Sequence, residues 1–263
     1  MLNIARFVKA PKNIREASYL KRKYYHLVIR MMNAYNKLIG FFNPQRFKPS
    51  GSKELDEIRR RSFERTDISD HLVSLFQESL DIRPKLIVEL GVGPGESSLV
   101  LGNVVDMFGA ILISVDKNPK IIKSSSGRKF FINTDDIEFA NKFESWCLEK
   151  NINPSIDILF IDTSHRYEHT LEEIKHWFGF LSEHSKVFFH DTNTQPIYWR
   201  KDGSMGLTYE HEPRGVMRAI EYYLGVSFNE KKDFSQRIND WNVKHYHLCN
   251  GFTILSRINN IIK

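Results

Sequence analysis

The chain has 263 residues, of which 41% are hydrophobic, with 19 Phe, 10 Tyr and 4 Trp, and it carries 38 Lys and Arg against 32 Asp and Glu, a net charge of +6. This composition supports one sizeable core and excludes a disordered chain. The two cysteines, Cys147 and Cys249, exclude a disulfide-stapled scaffold and point to a reducing compartment.

The charge is unevenly placed. Residues 1–48 hold eleven Lys and Arg against one acid, Glu16, a surplus of +10 that leaves −4 for residues 49–263. A basic arm on a mildly acidic body argues against the nucleic-acid role that a pI near 9.1 first suggests. No run reaches the roughly 18 apolar residues of a membrane span, and the start lacks the apolar run and cleavage site of a signal peptide. The expected location is cytoplasmic, with membrane association through the arm as an addition.

Residues 18–42 read as an amphipathic helix, with Tyr24, Leu27, Val28, Met31, Met32, Tyr35, Leu38 and Ile39 recurring at three and four residues. The stripe suits packing against the core or another subunit first, and an anionic membrane surface second. A loop-like NPQRFKPSGS follows, then helical stretches at 53–65 and 67–80. Short apolar runs at 86–90, 111–115, 129–132, 157–161 and 186–190 read as buried strands. Helical patterns at 96–107, 136–150, 166–180 and 215–224 fall between and after them. This alternation predicts an α/β, doubly wound, Rossmann-like and mostly parallel sheet covered on both faces. Asn250-Gly251 marks the turn of a terminal hairpin. The expected division is a basic helical extension over 1–65 and a catalytic domain over 66–263.

The sharpest local signal is Glu89-Leu90-Gly91-Val92-Gly93-Pro94-Gly95-Glu96-Ser97-Ser98, between the first strand and a helix. Glycines there let the backbone approach a ligand at the carboxyl end of the strand. The spacing is G-x-G-x-G rather than the dinucleotide G-x-G-x-x-G. Acids at 89 and 96 disfavour a pyrophosphate and favour a cationic or neutral nucleoside. Asp116 ends the second strand, placed for ribose hydroxyls, and Asp135 and Asp136 follow the third, placed for an adenine edge. The set resembles the class I S-adenosylmethionine-dependent methyltransferases. That resemblance implies a seven-stranded sheet and a cofactor site made of Glu89, Gly91, Gly93, Gly95, Ser97, Asp116, Asp135 and Asp136.

The fourth and fifth strands end in Asp162-Thr163-Ser164-His165-Arg166-Tyr167 and His190-Asp191-Thr192-Asn193. Neighbouring strands would bring Asp162 and Asp191 together, a pairing that calls for a cation or a shared proton. A single Asp at a strand end also serves as a helix cap. His165, near the start of the next helix, is expected to be neutral and able to take a proton. The motif D-x-x-H-x-Y followed by H-D-T resembles the metal-dependent macrocin and mycinamicin sugar O-methyltransferases and the cephalosporin hydroxylase-like methyltransferases. By that resemblance Asp162, His190 and Asp191 bind a divalent metal and His165 is the catalytic base. Those families have an acid where this chain has His190, which moves the expected ion from Mg²⁺ toward Mn²⁺, Fe²⁺ or Zn²⁺. Asn193 is an alternative oxygen donor. His165 and His169 lie four apart but lack the H-E-x-x-H zinc pattern, so His169 reads as a surface residue. Glu172 and Glu173 read as a solvated face.

Residues 192–214 lack regular pattern and read as a functional loop, with Tyr198, Trp199, Arg200, Tyr209 and His211 available to a sugar. The resemblance extends to Gly215, Val216 and Ala219 of the next helix. The expected activity is methyl transfer from S-adenosylmethionine to a hydroxyl of a sugar, glycosylated natural product or polysaccharide, by a homo-oligomer. The alternatives are a metal-free methyltransferase and a non-catalytic nucleoside-binding scaffold.

Overall fold

The computed structural model describes residues 19–118, 127–208 and 212–258. The helices are α1 (Tyr19–Phe42), α2 (Lys53–Arg61), α3 (Leu72–Leu80), α4 (Glu96–Phe108), α5 (Asp136–Ala140), α6 (Phe143–Glu149), α7 (Tyr167–Trp177) and α8 (Gly215–Leu224). The strands are β1 (Leu86–Leu90), β2 (Ile111–Val115), β3 (Lys129–Ile132), β4 (Ile156–Ile161), β5 (Leu181–His190), β6 (Ile197–Trp199), β7 (Met205–Leu207), β8 (Phe234–Ile238), β9 (Trp241–Tyr246) and β10 (Phe252–Arg257).

Eight strands form one sheet in the order β3-β2-β1-β4-β5-β10-β9-β8. The first five run parallel and the last three antiparallel. The order reverses between β1 and β4, the place where doubly wound sheets bind ligands beyond the strand ends. The seven expected strands are joined by β8. Its sequence FSQRI is apolar only at its ends and its middle is exposed, so no buried run announces it.

Alternate residues of the strands face two apolar layers. Val88, Leu90, Ile113, Leu159 and Phe189 pack with Phe139, Phe143, Trp177 and Ile220 on one side. Ile87, Leu112, Ile158, Phe160 and Phe188 pack with Leu72, Phe76, Val100 and Val104 on the other. The helix expected over 136–150 is two, α5 and α6. Their separation sets both Phe139 and Phe143 against Trp177, with ring centroids 6.2 and 5.1 Å away.

Part of the expected extension belongs to the body. Ile58 of α2 is fully buried in the second layer. Arg61 of α2 donates from Nε and Nη2 to Glu96 at 2.6 and 2.5 Å, a two-point ion pair of the strong kind. Glu96 is therefore neutralised within the fold, and the acid taken from the sequence as repelling a pyrophosphate faces a guanidinium instead.

The segment expected to be irregular contains the β6–β7 hairpin. Arg200 holds it by donating to the Thr66 carbonyl (3.0 Å), the Met205 carbonyl (2.8 Å) and the Tyr198 hydroxyl (2.9 Å). Tyr198 and Arg200 are buried, unlike the expected sugar-facing pair, and only Trp199 of that strand is exposed. Tyr209 and His211 lie outside the described residues, as do residues 1–18 of the basic arm.

The hairpin also receives α1. Asn36 exchanges two hydrogen bonds with Met205 (2.8 and 2.9 Å), and Tyr35 meets Trp199 edge to face at 6.1 Å. Leu27, Met31, Leu38, Phe41 and Phe42 stay between 55% and 78% exposed. No described helix is long and apolar enough to cross a membrane.

Candidate active site

The glycine loop is shaped by its neighbours. Gly91 has φ +82°, and a Cβ there would stand 2.0 Å from the main-chain oxygen of Asp162, so only glycine allows β1 and β4 to end in contact. A Cβ on Gly93 or Gly95 would meet nothing within 4 Å. That open cradle fits a ligand laid against the backbone. Asp116 closes it: Oδ2 accepts from the Val92 and Gly93 amides at 3.0 and 3.3 Å, and Oδ1 from the Asn118 amide at 2.8 Å.

Glu89 and Ser97, expected to meet the cofactor, are buried beneath it. Ser97 and Ser98 of α4 donate to Glu89 at 2.6 and 2.8 Å, and Ser114 of β2 donates at 2.5 Å. Glu89 shares its strand face with Ile87, toward α4, so it points into the protein. Burial pushes its carboxyl up, against the pull of the three hydroxyls. Its part is to fix the start of α4 under the loop.

Asp135 caps α5, accepting from the Ile137 and Glu138 amides at 2.9 and 3.0 Å, and pairs with Lys117 at 2.6 Å. Asp136 is buried and faces His169, with Oδ2 3.1 Å from Nε2. Both carboxylates are thus engaged by protein groups rather than presented to an adenine edge. Glu173, read as solvated, is fully buried, and His169 is drawn inward beside it; Glu172 is exposed as expected.

At the ends of β4 and β5 the second centre assembles. His165 lies between two carboxylates, with Nε2 3.0 Å from Asp162 Oδ1 and Nδ1 3.0 Å from Asp191 Oδ2. Burial opposes charge on the ring, but Asp191 and Asp162 outweigh it and hold the pKa well above the usual histidine value. The acids beside the ring, rather than its place before a helix, set its charge preference, which runs opposite to the neutral His165 expected from the sequence. The ring precedes α7, which begins at Tyr167, and its immediate partners are acids. Gly215 lets α8 close behind this loop, since a Cβ there would stand 2.4 Å from the His165 carbonyl.

His190 is buried between β5 and the chain before α3. Its Nε2 donates to the Asp67 carbonyl at 3.2 Å, and Nδ1 lies 3.1 Å from Asp162 Oδ1 and 3.5 Å from Asp191 Oδ1. Asp191 Oδ1 is buried without a hydrogen-bond partner among the described residues. An orphaned carboxylate oxygen beside an imidazole nitrogen and a second carboxylate is a donor set that fits a divalent cation. The carbonyl on the far nitrogen orients the ring as in metal-binding histidines. Asp162, His165 and Asp191 likewise offer ligand atoms that all lie within 4.8 Å of one another. Asn193 is not a donor here: its amide nitrogen donates to the His247 carbonyl at 2.8 Å and its oxygen accepts from Gln195.

Residues 88–192 match a family described as a methyltransferase domain, a span that contains every residue of both centres. Over that span the chain is similar to a methyltransferase domain. The fold of this domain is shared with solved structures at low identity. One is the MycE methyltransferase of the mycinamycin biosynthetic pathway, in complex with Mg, SAH and mycinamycin VI. It matches with a TM-score of 0.50 and 18% identity over 81% of this chain and 55% of that one. Another is the O-methyltransferase TomG from Streptomyces achromogenes, involved in tomaymycin synthesis, in complex with SAM. It matches with a TM-score of 0.50 and 13% identity over 87% of this chain and 99% of that one. The chain therefore spans about half the length of the first. No curated protein matches the sequence.

Proposed function

We propose that the chain transfers the methyl group of S-adenosylmethionine to a hydroxyl oxygen, with a divalent cation held by Asp162, His190 and Asp191. The observation that carries this reading is the cluster of His165 between Asp162 and Asp191, in contact with the glycine loop through Gly91. S-adenosylmethionine supplies an electrophilic methyl on sulfonium sulfur. The cation, when bound, neutralises the two acids and lowers the pKa of an acceptor hydroxyl.

The chain's own residues do the rest. Asp116 is placed to take the ribose hydroxyls at the edge of the glycine loop. With Asp162 engaged by the cation, Asp191 Oδ2 would hold Nδ1–H of His165 and leave Nε2 free to accept the hydroxyl proton as the oxygen–methyl bond forms and the sulfur–methyl bond breaks. Asp162 and Asp191 then stabilise the imidazolium. The two-carboxylate setting that raises the His165 pKa favours this proton-loaded state. The D-x-x-H-x-Y and H-D-T motifs support a sugar or glycosylated acceptor. The exposed apolar row on α1, beside Lys23, Arg30 and Lys37, supports an external contact there, with another subunit or with an anionic membrane surface.

The test is a panel of sugars, glycosides and catechols incubated with S-adenosylmethionine, before and after chelation and with Mg²⁺ or Mn²⁺ restored. Methylated product and S-adenosylhomocysteine that vanish on chelation and return with metal are the expected result. Undiminished turnover after chelation overturns the metal, and S-adenosylhomocysteine binding without turnover on any acceptor overturns the activity.

A further inference from the structure

A second cluster of chemistry-bearing side chains lies outside the centre at Asp162 and Asp191 and shares no residue with it. His169 and Glu173 are four apart on α7 and so project from one face. Asp136, at the first position of α5, meets them from a different part of the chain. Asp136 Oδ2 lies 3.1 Å from His169 Nε2, which lies 3.7 Å from Glu173 Oε1. One ligand atom from each of the three falls within 4.8 Å of the others.

The cluster is built into the fold. Glu173 is fully buried and Asp136 is 6% exposed, while His169, at 23% side-chain exposure, opens it to solvent. Thr163 donates to Glu173 Oε1 at 2.6 Å and fixes that carboxylate. Glu173 Oε2 is buried with no hydrogen-bond partner among the described residues, and the Asp136 side chain lies against the same carboxylate. Two buried carboxylates in contact need either a cation or a trapped proton between them. The imidazole at the solvent side adds a third donor with an entry path.

We propose that Asp136, His169 and Glu173 form a second metal site, one that takes a transition-series divalent cation. One imidazole and two carboxylates suit Zn²⁺, Co²⁺ or Mn²⁺, whereas Mg²⁺ and Ca²⁺ favour all-oxygen shells. The bound ion ties the start of α5 to α7, and its role is to hold in place the helix that Asp135 caps. The inference does not depend on the reaction proposed above.

The test uses the full chain, stripped by chelation and titrated with Co²⁺ under calorimetry and visible absorption. In the Asp162→Asn/Asp191→Asn protein, which lacks the acids of the first centre, Co²⁺ still binds and raises the melting temperature. Adding His169→Gln, a change at a part-exposed position, weakens that binding by more than the roughly 10–100-fold that losing an outer-shell hydrogen bond costs, and Glu173→Gln does the same. If the Asp162→Asn/Asp191→Asn protein binds no Co²⁺, or keeps its affinity after His169→Gln, the site is a shared-proton pair and the proposal fails.

Discussion

His165 Nδ1 stands 3.0 Å from Asp191 Oδ2, and both residues hold left-handed backbone angles, φ +54° and +55°. Such angles cost about 1–3 kcal/mol each for non-glycine residues and persist where the surrounding structure dictates them. Here the two main chains bend to bring the imidazole and the carboxylate together. His165→Ala should lower kcat by roughly 10²–10⁴. Asp191→Asn, whose side chain tolerates the same angle, should approach that loss. S-adenosylhomocysteine affinity, read by calorimetry, should stay near normal in both. A His165→Ala enzyme with full kcat removes the base assignment.

Glu89 carries a different kind of prediction. Replacing it with Ala strands the hydroxyls of Ser97, Ser98 and Ser114 in the interior. Each buried donor left unpaired costs about 1–3 kcal/mol, reduced where a hydroxyl can turn to another acceptor. Glu89→Ala should lose about 3 kcal/mol in chemical denaturation and weaken S-adenosylhomocysteine binding, because the start of α4 loosens under the loop. Glu89→Gln, which keeps one acceptor oxygen, should lose less. A variant with unchanged stability and lost binding would instead put Glu89 in direct contact with the ligand.

The buried His245 predicts a pH dependence of stability. Burial lowers its pKa from 6.5, against a hydrogen bond to the Glu230 carbonyl and the nearby Asp233. A depressed folded value means that the unfolded chain binds the extra proton first. Stability is then complete above pH 6.5 and is lost as the pH falls below it, by at most about 1.4 kcal/mol per pH unit from this group. Urea midpoints across pH 7.5 to 5 should fall more steeply for the wild type than for His245→Gln. Equal slopes would show that His245 charges without cost.

Both cysteines are closed to solvent, and burial pushes the Cys147 thiol up to about 11 and the Cys249 thiol up to about 12. With the thiolate scarce and the sulfur inaccessible, neither should react with a thiol reagent at about pH 8 in the folded protein. Both should react in guanidinium, and mass spectrometry of the labelled chain distinguishes the two states.

The parallel half of the sheet was legible in the sequence because its strands are covered on both faces and read as near-continuous apolar runs such as LIVEL and ILISV, each broken by one polar residue. The same logic hid β8, an edge strand with polar exposed residues, and the β6–β7 hairpin, which Arg200 anchors through contacts made only in three dimensions. The second centre was legible because Asp162 and Asp191 end adjacent strands. The raised pKa of His165 was not, since it depends on which acids surround the ring rather than on its place before a helix. The inward turn of Glu89 follows from its sharing a strand face with Ile87. The Asp136–His169–Glu173 cluster was not legible, since His169 and Glu173 read as surface positions and Asp136 joins them only on folding.

The contact between Gly91 and the Asp162 carbonyl gives the two halves of the site a common mechanical reference. Neither strand end can shift without carrying the other, so the separation between methyl donor and acceptor is set by the sheet rather than by either loop. A side chain at position 91 would act as a wedge and put the reacting atoms out of register, where a displacement of about 1 Å costs on the order of 10²-fold in rate. Variation at this position is therefore closed by a neighbour, whereas at Gly93 and Gly95, which face open space at φ +49° and +92°, it is limited by the backbone conformation alone.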